Sequence, residues 1–295
     1  MTRSGLGRVR LLWGDARRLE GVDDASVHLV VTSPPYPMIP QWDELFRRLG
    51  AERYPEMLGV LEGAWRASYR ALVPGGILAV NIGDALRTTD GEFRLWPNSA
   101  ETMVAAERVG FRPLPYLLWK KPTNKPNAFL GSGFLPPNAY VTLDCEFILL
   151  FRKGDLRRLP VHDARREESR FSRSERDTWF SQVWGDVRGA PQGAEGRRTA
   201  AFPPAIPERL VRMFSLVGET VLDPFAGTGT TLVAASRWGR DAIGVEWDPA
   251  LYAALVARGR ALGWSEITPP AGAAVGPGGR PPRRRRAGGT GARTG

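Results

Sequence analysis

The stretch that most constrains this chain is Val221-Leu222-Asp223-Pro224-Phe225-Ala226-Gly227-Thr228-Gly229-Thr230-Thr231. An apolar run ends in an acid, crosses two glycines and enters a helix-forming segment. Glycines at such a turn permit left-handed backbone and let a ligand approach the main chain closely. A second apolar run, Ile243-Gly244-Val245-Glu246, follows and also ends in an acid. Two strands separated by one helix cannot form a hairpin, so they lie parallel and are joined by a crossover. The turn is not a phosphate-binding P-loop, because no Lys follows the glycines, and it is not a complete G-x-G-x-x-G dinucleotide fingerprint. An acid roughly 20 residues beyond a glycine turn is placed to accept hydrogen bonds from ribose hydroxyls. The pair of motifs thus points to a ligand containing a nucleoside.

The remainder of the chain keeps the same rhythm. Val9–Trp13, Val27–Thr32, Ile77–Asn81, Tyr116–Trp119, Glu146–Phe151, Thr220–Leu222 and Ala242–Glu246 read as buried strands. Glu52–Leu72, Asn98–Val109, Pro204–Phe214, Thr228–Trp238 and Pro249–Leu262 read as helices. Alternation of this kind predicts an α/β fold with a mostly parallel sheet. Residues 152–200 are charged and break the rhythm, which predicts an insertion. Residues 265–295 consist largely of Pro, Gly, Ala and Arg and are predicted to be disordered.

A second chemical feature is Val30-Val31-Thr32-Ser33-Pro34-Pro35-Tyr36. Open α/β sheets bind ligands beyond the carboxyl ends of their strands. Each proline fixes φ and lacks an N–H, and each residue before a proline is pushed to an extended conformation. The Ser33 and Pro34 carbonyls are then held as rigid acceptors. A planar ring bearing an NH2 group can donate to them and to Ser33 Oγ, with Tyr36 against its face.

Composition narrows the classes. The single cysteine, Cys145, excludes an internal disulfide, and two histidines, His28 and His162, argue against His-rich metal chemistry. No apolar stretch is long enough to span a membrane, and Met1–Trp13 lacks the apolar core of a secretory signal. Lys+Arg is 41 against 31 Asp+Glu, a net charge of +10. Six arginines and no acids fall within residues 267–295, and residues 152–198 hold 12 basic and 8 acidic residues, so the excess sits in one segment and one tail. Such concentration suggests a polyanionic partner, or a solvated surface in an arginine-rich chain.

Thr32-Ser33-Pro34-Pro35-Tyr36 together with Asp223–Thr231 closely resembles the S-adenosylmethionine-dependent DNA amino-methyltransferases. The catalytic motif precedes the cofactor motif, as in their circularly permuted beta group. Weaker marks of that family are Gly14-Asp15-Ala16, Leu72–Gly76, Gly83-Asp84, Trp119-Lys120-Lys121, Glu146–Leu149, Lys153-Gly154, Val183-Trp184 and Phe202-Pro203, so the resemblance covers most of residues 10–250. Arg198 departs from the His often found there. The resemblance implies a Rossmann-like methyltransferase sheet with one antiparallel strand and a catalytic domain at 1–264. It also implies target recognition within about 152–200, with the loop 122–140 contributing. The catalytic set would be Ser33, Pro34, Pro35 and Tyr36. The cofactor, S-adenosylmethionine without a metal, would meet Asp223, Pro224, Phe225, Ala226, Gly227, Thr228, Gly229, Thr230, Thr231, Glu246, Trp247 and Asp15.

The same resemblance implies double-stranded DNA as partner, a flipped target base, and a monomer or homodimer acting in the cytoplasm of a prokaryotic cell, beside a separate restriction endonuclease. Lys120, Lys121, Lys125, Arg165, Arg166, Arg170 and Arg173 are candidate DNA contacts, although any of these arginines could equally form a local pair with Glu167, Glu168 or Glu175. Ser-Pro-Pro-Tyr is the form more typical of N4-cytosine enzymes and Asp-Pro-Pro-Tyr of N6-adenine enzymes, which favours cytosine. Ring-carbon methylation would want a cysteine nucleophile, and Cys145 reads instead as a core residue. The competing readings are an N6-adenine enzyme of the same fold, a non-catalytic DNA-binding protein and a nicotinamide-dependent oxidoreductase.

Overall fold

A computed structural model describes residues 5–121, 141–188 and 202–264, together with the short strand Glu266–Ile267. The strands are β1 (Val9–Trp13), β2 (Val27–Thr32), β3 (Leu72–Ile82), β4 (Ala85–Thr89), β5 (Glu92–Trp96), β6 (Phe111–Pro113), β7 (Leu117–Lys120), β8 (Cys145–Lys153), β9 (Val183–Trp184), β10 (Thr220–Asp223), β11 (Asp241–Glu246) and β12 (Glu266–Ile267). The helices are α1 (Asp43–Arg48), α2 (Tyr54–Ala71), α3 (Asn98–Val109), α4 (Ala164–Glu168), α5 (Arg173–Trp179), α6 (Ala205–Phe214), α7 (Thr230–Arg237) and α8 (Pro249–Ala261).

Ten strands form one sheet in the order β12-β1-β11-β10-β2-β3-β8-β7-β9, with β6 also pairing β8. β8 runs antiparallel to β3, β6 and β7, and every other pairing in this sheet is parallel. The sheet is therefore mostly parallel with one reversed strand, as expected from the sequence. Side chains alternate between its faces because the strand period is two residues. Val30, Leu78 and Val80 face one core with Leu61, Trp65 and Ala106 from α2 and α3. Leu29, Val31 and Ala79 face the other with Ile206, Leu210, Leu232 and Leu255 from α6, α7 and α8. A third cluster, of Met38, Phe46, Met57, Val60, Ala85 and Trp96, packs the loop after β2 against the β4–β5 hairpin.

Several sequence expectations need adjustment. The hairpin β4–β5 was not anticipated; its Asp90-Gly91 turn has positive φ at both residues, 53° and 79°, the two-residue arrangement that suits hairpin twist. β3 begins at Leu72, ahead of Pro74-Gly75-Gly76, with irregular pairing to β2 between Val27 and Leu29. The sheet also extends past residue 264, because Glu266 and Ile267 pair with Arg10 and Leu11. The segment after β8 is not a free excursion: Trp184 of β9 is fully buried and extends the sheet beyond β7. Cys145 is half-buried at the start of β8 rather than in the core. The tail beyond 267, the loop 122–140 and residues 189–201, with Lys125 and Arg198, lie outside the described residues. Among the described residues, no helix is long and apolar enough to cross a membrane.

Candidate functional site

The two motifs are nearly 200 residues apart in sequence, yet their strands are neighbours. β10 pairs in parallel with β2, with Val221 opposite Leu29 and Leu222 opposite Val30. Both motifs therefore emerge from the same end of the sheet. Thr32 Oγ1 donates to Asp223 Oδ1 at 2.7 Å, a buried bond that fastens one motif to the other. Asp223 Oδ1 also accepts from Phe225 N at 3.1 Å. Burial pushes the Asp223 carboxyl up to about 6, against the opposing pull of these hydrogen bonds.

The glycine turn runs from Asp223 into α7. Gly227 and Gly229 both adopt left-handed backbone, with φ of 50° and 81°. Around Gly227 there is open space where a side chain would lie, its nearest neighbour being Phe225 O at 3.8 Å. Gly229 serves packing instead, because a Cβ there would stand 2.5 Å from Leu255 Cδ1. Glu246 ends β11 beside the turn and is 9% exposed. Its Oε2 accepts from Gly227 N and its Oε1 from Asp248 N, each at 2.8 Å. Burial raises the Glu246 carboxyl above its ordinary range, while these amide bonds oppose the rise.

A narrow cleft opens here between Asp15, Leu45, Leu49, Pro224, Phe225, Glu246 and Trp247. Phe225 packs edge-on to Trp65 of α2, at 6.4 Å between ring centres, which ties the cleft wall to the core. Arg48 lies over the Trp247 ring at 4.6 Å and pairs with Asp248 at 3.0 Å. Asp15 is in the cleft, as the sequence suggested, but both its oxygens already accept from Arg17, whose Nη2 reaches Oδ2 at 2.6 Å. An acceptor role for Asp15 would require that pair to open.

The Ser-Pro-Pro-Tyr loop continues directly from Thr32. Ser33 Oγ is 3.1 Å from Tyr36 Oη. The Tyr36 hydroxyl also meets Asn81 Nδ2 at 2.8 Å and Glu146 Oε2 at 2.9 Å. Asn81 Nδ2 reaches the same Glu146 oxygen at 2.6 Å, and Lys121 forms an ion pair with Glu146 Oε1. A Cβ on Gly83 would fall 3.2 Å from Tyr36 Cε2 and 3.3 Å from Glu146 Cγ, so any larger residue here would press on both side chains. The sequence reading assigned no role to Asn81, Gly83 or Glu146. A signal was present: Asn81 follows the apolar run Ile77–Val80 and Glu146 precedes the apolar run Phe147–Phe151, where a buried polar side chain needs a partner.

The candidate DNA contacts divide. Lys120 ends β7 and Lys121 follows it, at the same end of the sheet as the Ser33–Tyr36 loop. Arg165, Arg166, Arg170 and Arg173 do not line the cleft of Asp15, Phe225 and Glu246. Arg166 and Arg170 line a groove with Gly75, Ile77, Arg152, Arg157 and Leu216. Ile77 begins the β3–β8 register and Ile82 ends it, so the groove is about 16 Å along the strand from the end that carries the Ser33–Tyr36 loop. Arg165 pairs with Asp163, Arg170 with Glu167 and Arg173 with Asp177. Phe171 packs against both Trp179 and Phe180, with ring centres 5.9 and 5.7 Å apart. Arg165, Arg170 and Arg173 are thus paired with neighbouring acids, and Arg166 and Arg170 stand near the opposite end of β3 from the Ser33–Tyr36 loop.

A family model for DNA methylases of the N6/N4 type matches residues 27–256. The Type II methyltransferase M.MjaI of Methanocaldococcus jannaschii is 52% identical over 268 residues, covering 82% of this chain and 88% of the relative. M.MthZI of Methanothermobacter thermautotrophicus, also a Type II methyltransferase, is 42% identical over 258 residues, covering 81% and 73%. Among solved structures, TTHA0409 of Thermus thermophilus in complex with S-adenosyl-L-methionine is 39% identical, with a TM-score of 0.71 over 88% of this chain and 98% of that one. The cytosine-N4-specific PvuII DNA methyltransferase is 18% identical, with a TM-score of 0.62 over 89% and 95%, a likeness of fold.

Proposed function

This chain belongs to the N6/N4 DNA methylase family, and from that premise we propose that it transfers a methyl group from S-adenosylmethionine to the exocyclic N4 of cytosine in a specific DNA sequence. The observation that supports this reading is the Thr32–Asp223 bond at 2.7 Å, which sets the Ser33–Tyr36 loop beside the Asp223–Thr231 turn. The assignment to cytosine rests on Ser33, a neutral, compact residue where the adenine type carries a carboxylate. The catalytic unit is residues 1–264 with β12 added, and the setting is restriction-modification, with a nuclease acting separately.

The cleft residues fit the cofactor by the chemistry of their donors and acceptors. Glu246, held by two backbone amides, presents a carboxylate suited to ribose hydroxyls. Pro224, Phe225 and Trp247 provide apolar surface for a flat base, and the space beside Gly227 lets a ligand meet the main chain. Asp223 offers a buried carboxylate that a cationic ligand would stabilise in its charged form. When bound, S-adenosylmethionine supplies an electrophilic methyl group on a positively charged sulfur.

The protein's part is positioning and electrostatics. Ser33 Oγ and the Pro34 carbonyl would accept the two amino hydrogens and turn the nitrogen lone pair away from the ring. A base inside a duplex is unreachable, so it leaves the stack at a cost of a few kcal/mol. Stacking on Tyr36, worth about 1–3 kcal/mol, offsets part of that.

The test is incubation with S-adenosylmethionine and unmethylated mixed-sequence DNA, followed by digestion to nucleosides and mass spectrometry. N4-methylcytosine is expected. N6-methyladenine would overturn the cytosine assignment while keeping fold and cofactor. Ser33→Ala should cripple turnover and spare cofactor binding; equal loss of both would refute the proposed division of roles.

A further inference from the structure

The Ser33–Tyr36–Glu146 contacts have a direction. A carboxylate has no proton to give, so Tyr36 donates to Glu146 Oε2 across their 2.9 Å contact. Burial, with Glu146 close by, pushes the Tyr36 phenol well above its ordinary value, so it remains a donor. Asn81 Nδ2 can only donate, and it fills one acceptor position on Tyr36 Oη. The other position is left for Ser33, whose hydroxyl proton therefore points to Tyr36 across 3.1 Å. The lone pairs of Ser33 Oγ are then left to accept from the substrate. The carboxylate at one end of this chain thus decides what the serine at the other end can do.

We infer that Glu146, fixed by Asn81 and Lys121, is a positioning residue that makes Ser33 an acceptor and receives, through Tyr36 and Ser33, the proton that the target amino group sheds on methylation. The inference rests on the amino-methylation reading above. As the nitrogen lone pair forms the new N–C bond, the C–S bond of the sulfonium donor breaks and its electrons stay on sulfur, leaving a neutral thioether. The nitrogen is then cationic and gives one proton to Ser33 Oγ. Ser33 passes its own proton to Tyr36 Oη, and Tyr36 passes its own to Glu146 Oε2. The N–H electron pair returns to the nitrogen, and no hydroxyl carries a net charge afterwards. Glu146 resets by losing that proton to water at its edge beside Lys121, which is 39% exposed against 9% for Glu146 and whose ammonium, having no lone pair to take the proton, favours the re-formed carboxylate.

The decisive variant is Glu146→Gln in the full chain. Its amide oxygen can still accept from Tyr36 and Asn81, but it cannot take up the proton. Single-turnover methyl transfer should fall about 10²-fold or more, the usual scale for losing a positioned proton acceptor. S-adenosylmethionine affinity should be unchanged, because Glu146 does not line the cofactor cleft. Glu146→Asp should restore part of the rate, and Tyr36→Phe, which removes the middle of the relay, should match Glu146→Gln. A multi-proton solvent isotope effect in wild type should simplify in both impaired variants. Wild-type rate in Glu146→Gln, or a rate loss that follows melting temperature and is not rescued by Asp, overturns the relay alone. A wild-type product methylated anywhere but an amino nitrogen overturns the underlying reading as well.

Discussion

Replacing Asp223 with Asn should make the protein more stable and less able to hold its cofactor. Asp223 is 3% exposed, and burial lifts its carboxyl from an ordinary 3.8 to about 6. The folded state therefore holds this proton more tightly than the unfolded chain does. Stability from this group is complete below the unfolded value and is lost as pH rises through about 6. At neutral pH the ionised side chain costs folding about 3 kcal/mol. Asn keeps an Oδ1 for both Thr32 Oγ1 and Phe225 N, so the bonds recorded at that oxygen survive. Thermal melts should show Asp223→Asn about 5 °C above wild type near pH 7.5, with the gap closing near pH 4. Titration with S-adenosylmethionine should show about 10- to 100-fold weaker binding, the scale of a lost charged contact. A gap that does not change with pH, or a variant that melts below wild type at both values, would refute the claim that Asp223 is destabilised by burial for the sake of a cationic ligand.

Other perturbations separate the parts of the site. Gly83→Ala inserts a methyl against Tyr36 and Glu146, so methyl transfer should drop about 10- to 100-fold with cofactor affinity unchanged, by single-turnover kinetics beside calorimetry. Gly229→Ala combines a left-handed φ with a clash on Leu255; urea melts should show a loss of about 2–4 kcal/mol. Reversing charge at Arg166 and Arg173 together should leave the KM for DNA within about twofold, because phosphate contacts would otherwise register as a salt-dependent loss. A large, salt-dependent rise in that KM would show instead that these arginines meet the DNA backbone.

Most of the framework was legible in the sequence. The strands at 9–13 and 27–32 and the helix at 98–109 fall at the expected residues, the strands because burial keeps them mostly apolar and the helix because Gly110 ends it in a left-handed cap. The hairpin at 85–96 was not legible, since its strands have no clean alternation: Arg87 and Arg94 lie opposite one another in the register. At 165–173 the structure adds what composition lacks, since it pairs Arg165, Arg170 and Arg173 with neighbouring acids.

The residues by themselves determined which segments could be parallel strands, where the chain had to turn on glycine, and which loop could meet an amino group. Those are local matters of backbone freedom, side-chain period and functional-group chemistry. Tertiary structure alone decided that β10 lies beside β2, placing Thr32 against Asp223, and that β8 runs backward along β3, placing Glu146 beneath Tyr36. Parallel strands are interchangeable in pattern, and their order is chosen by how helices cover both faces of the whole sheet. A buried acid in β8 therefore acquires meaning only when that order delivers it to a tyrosine 110 residues away.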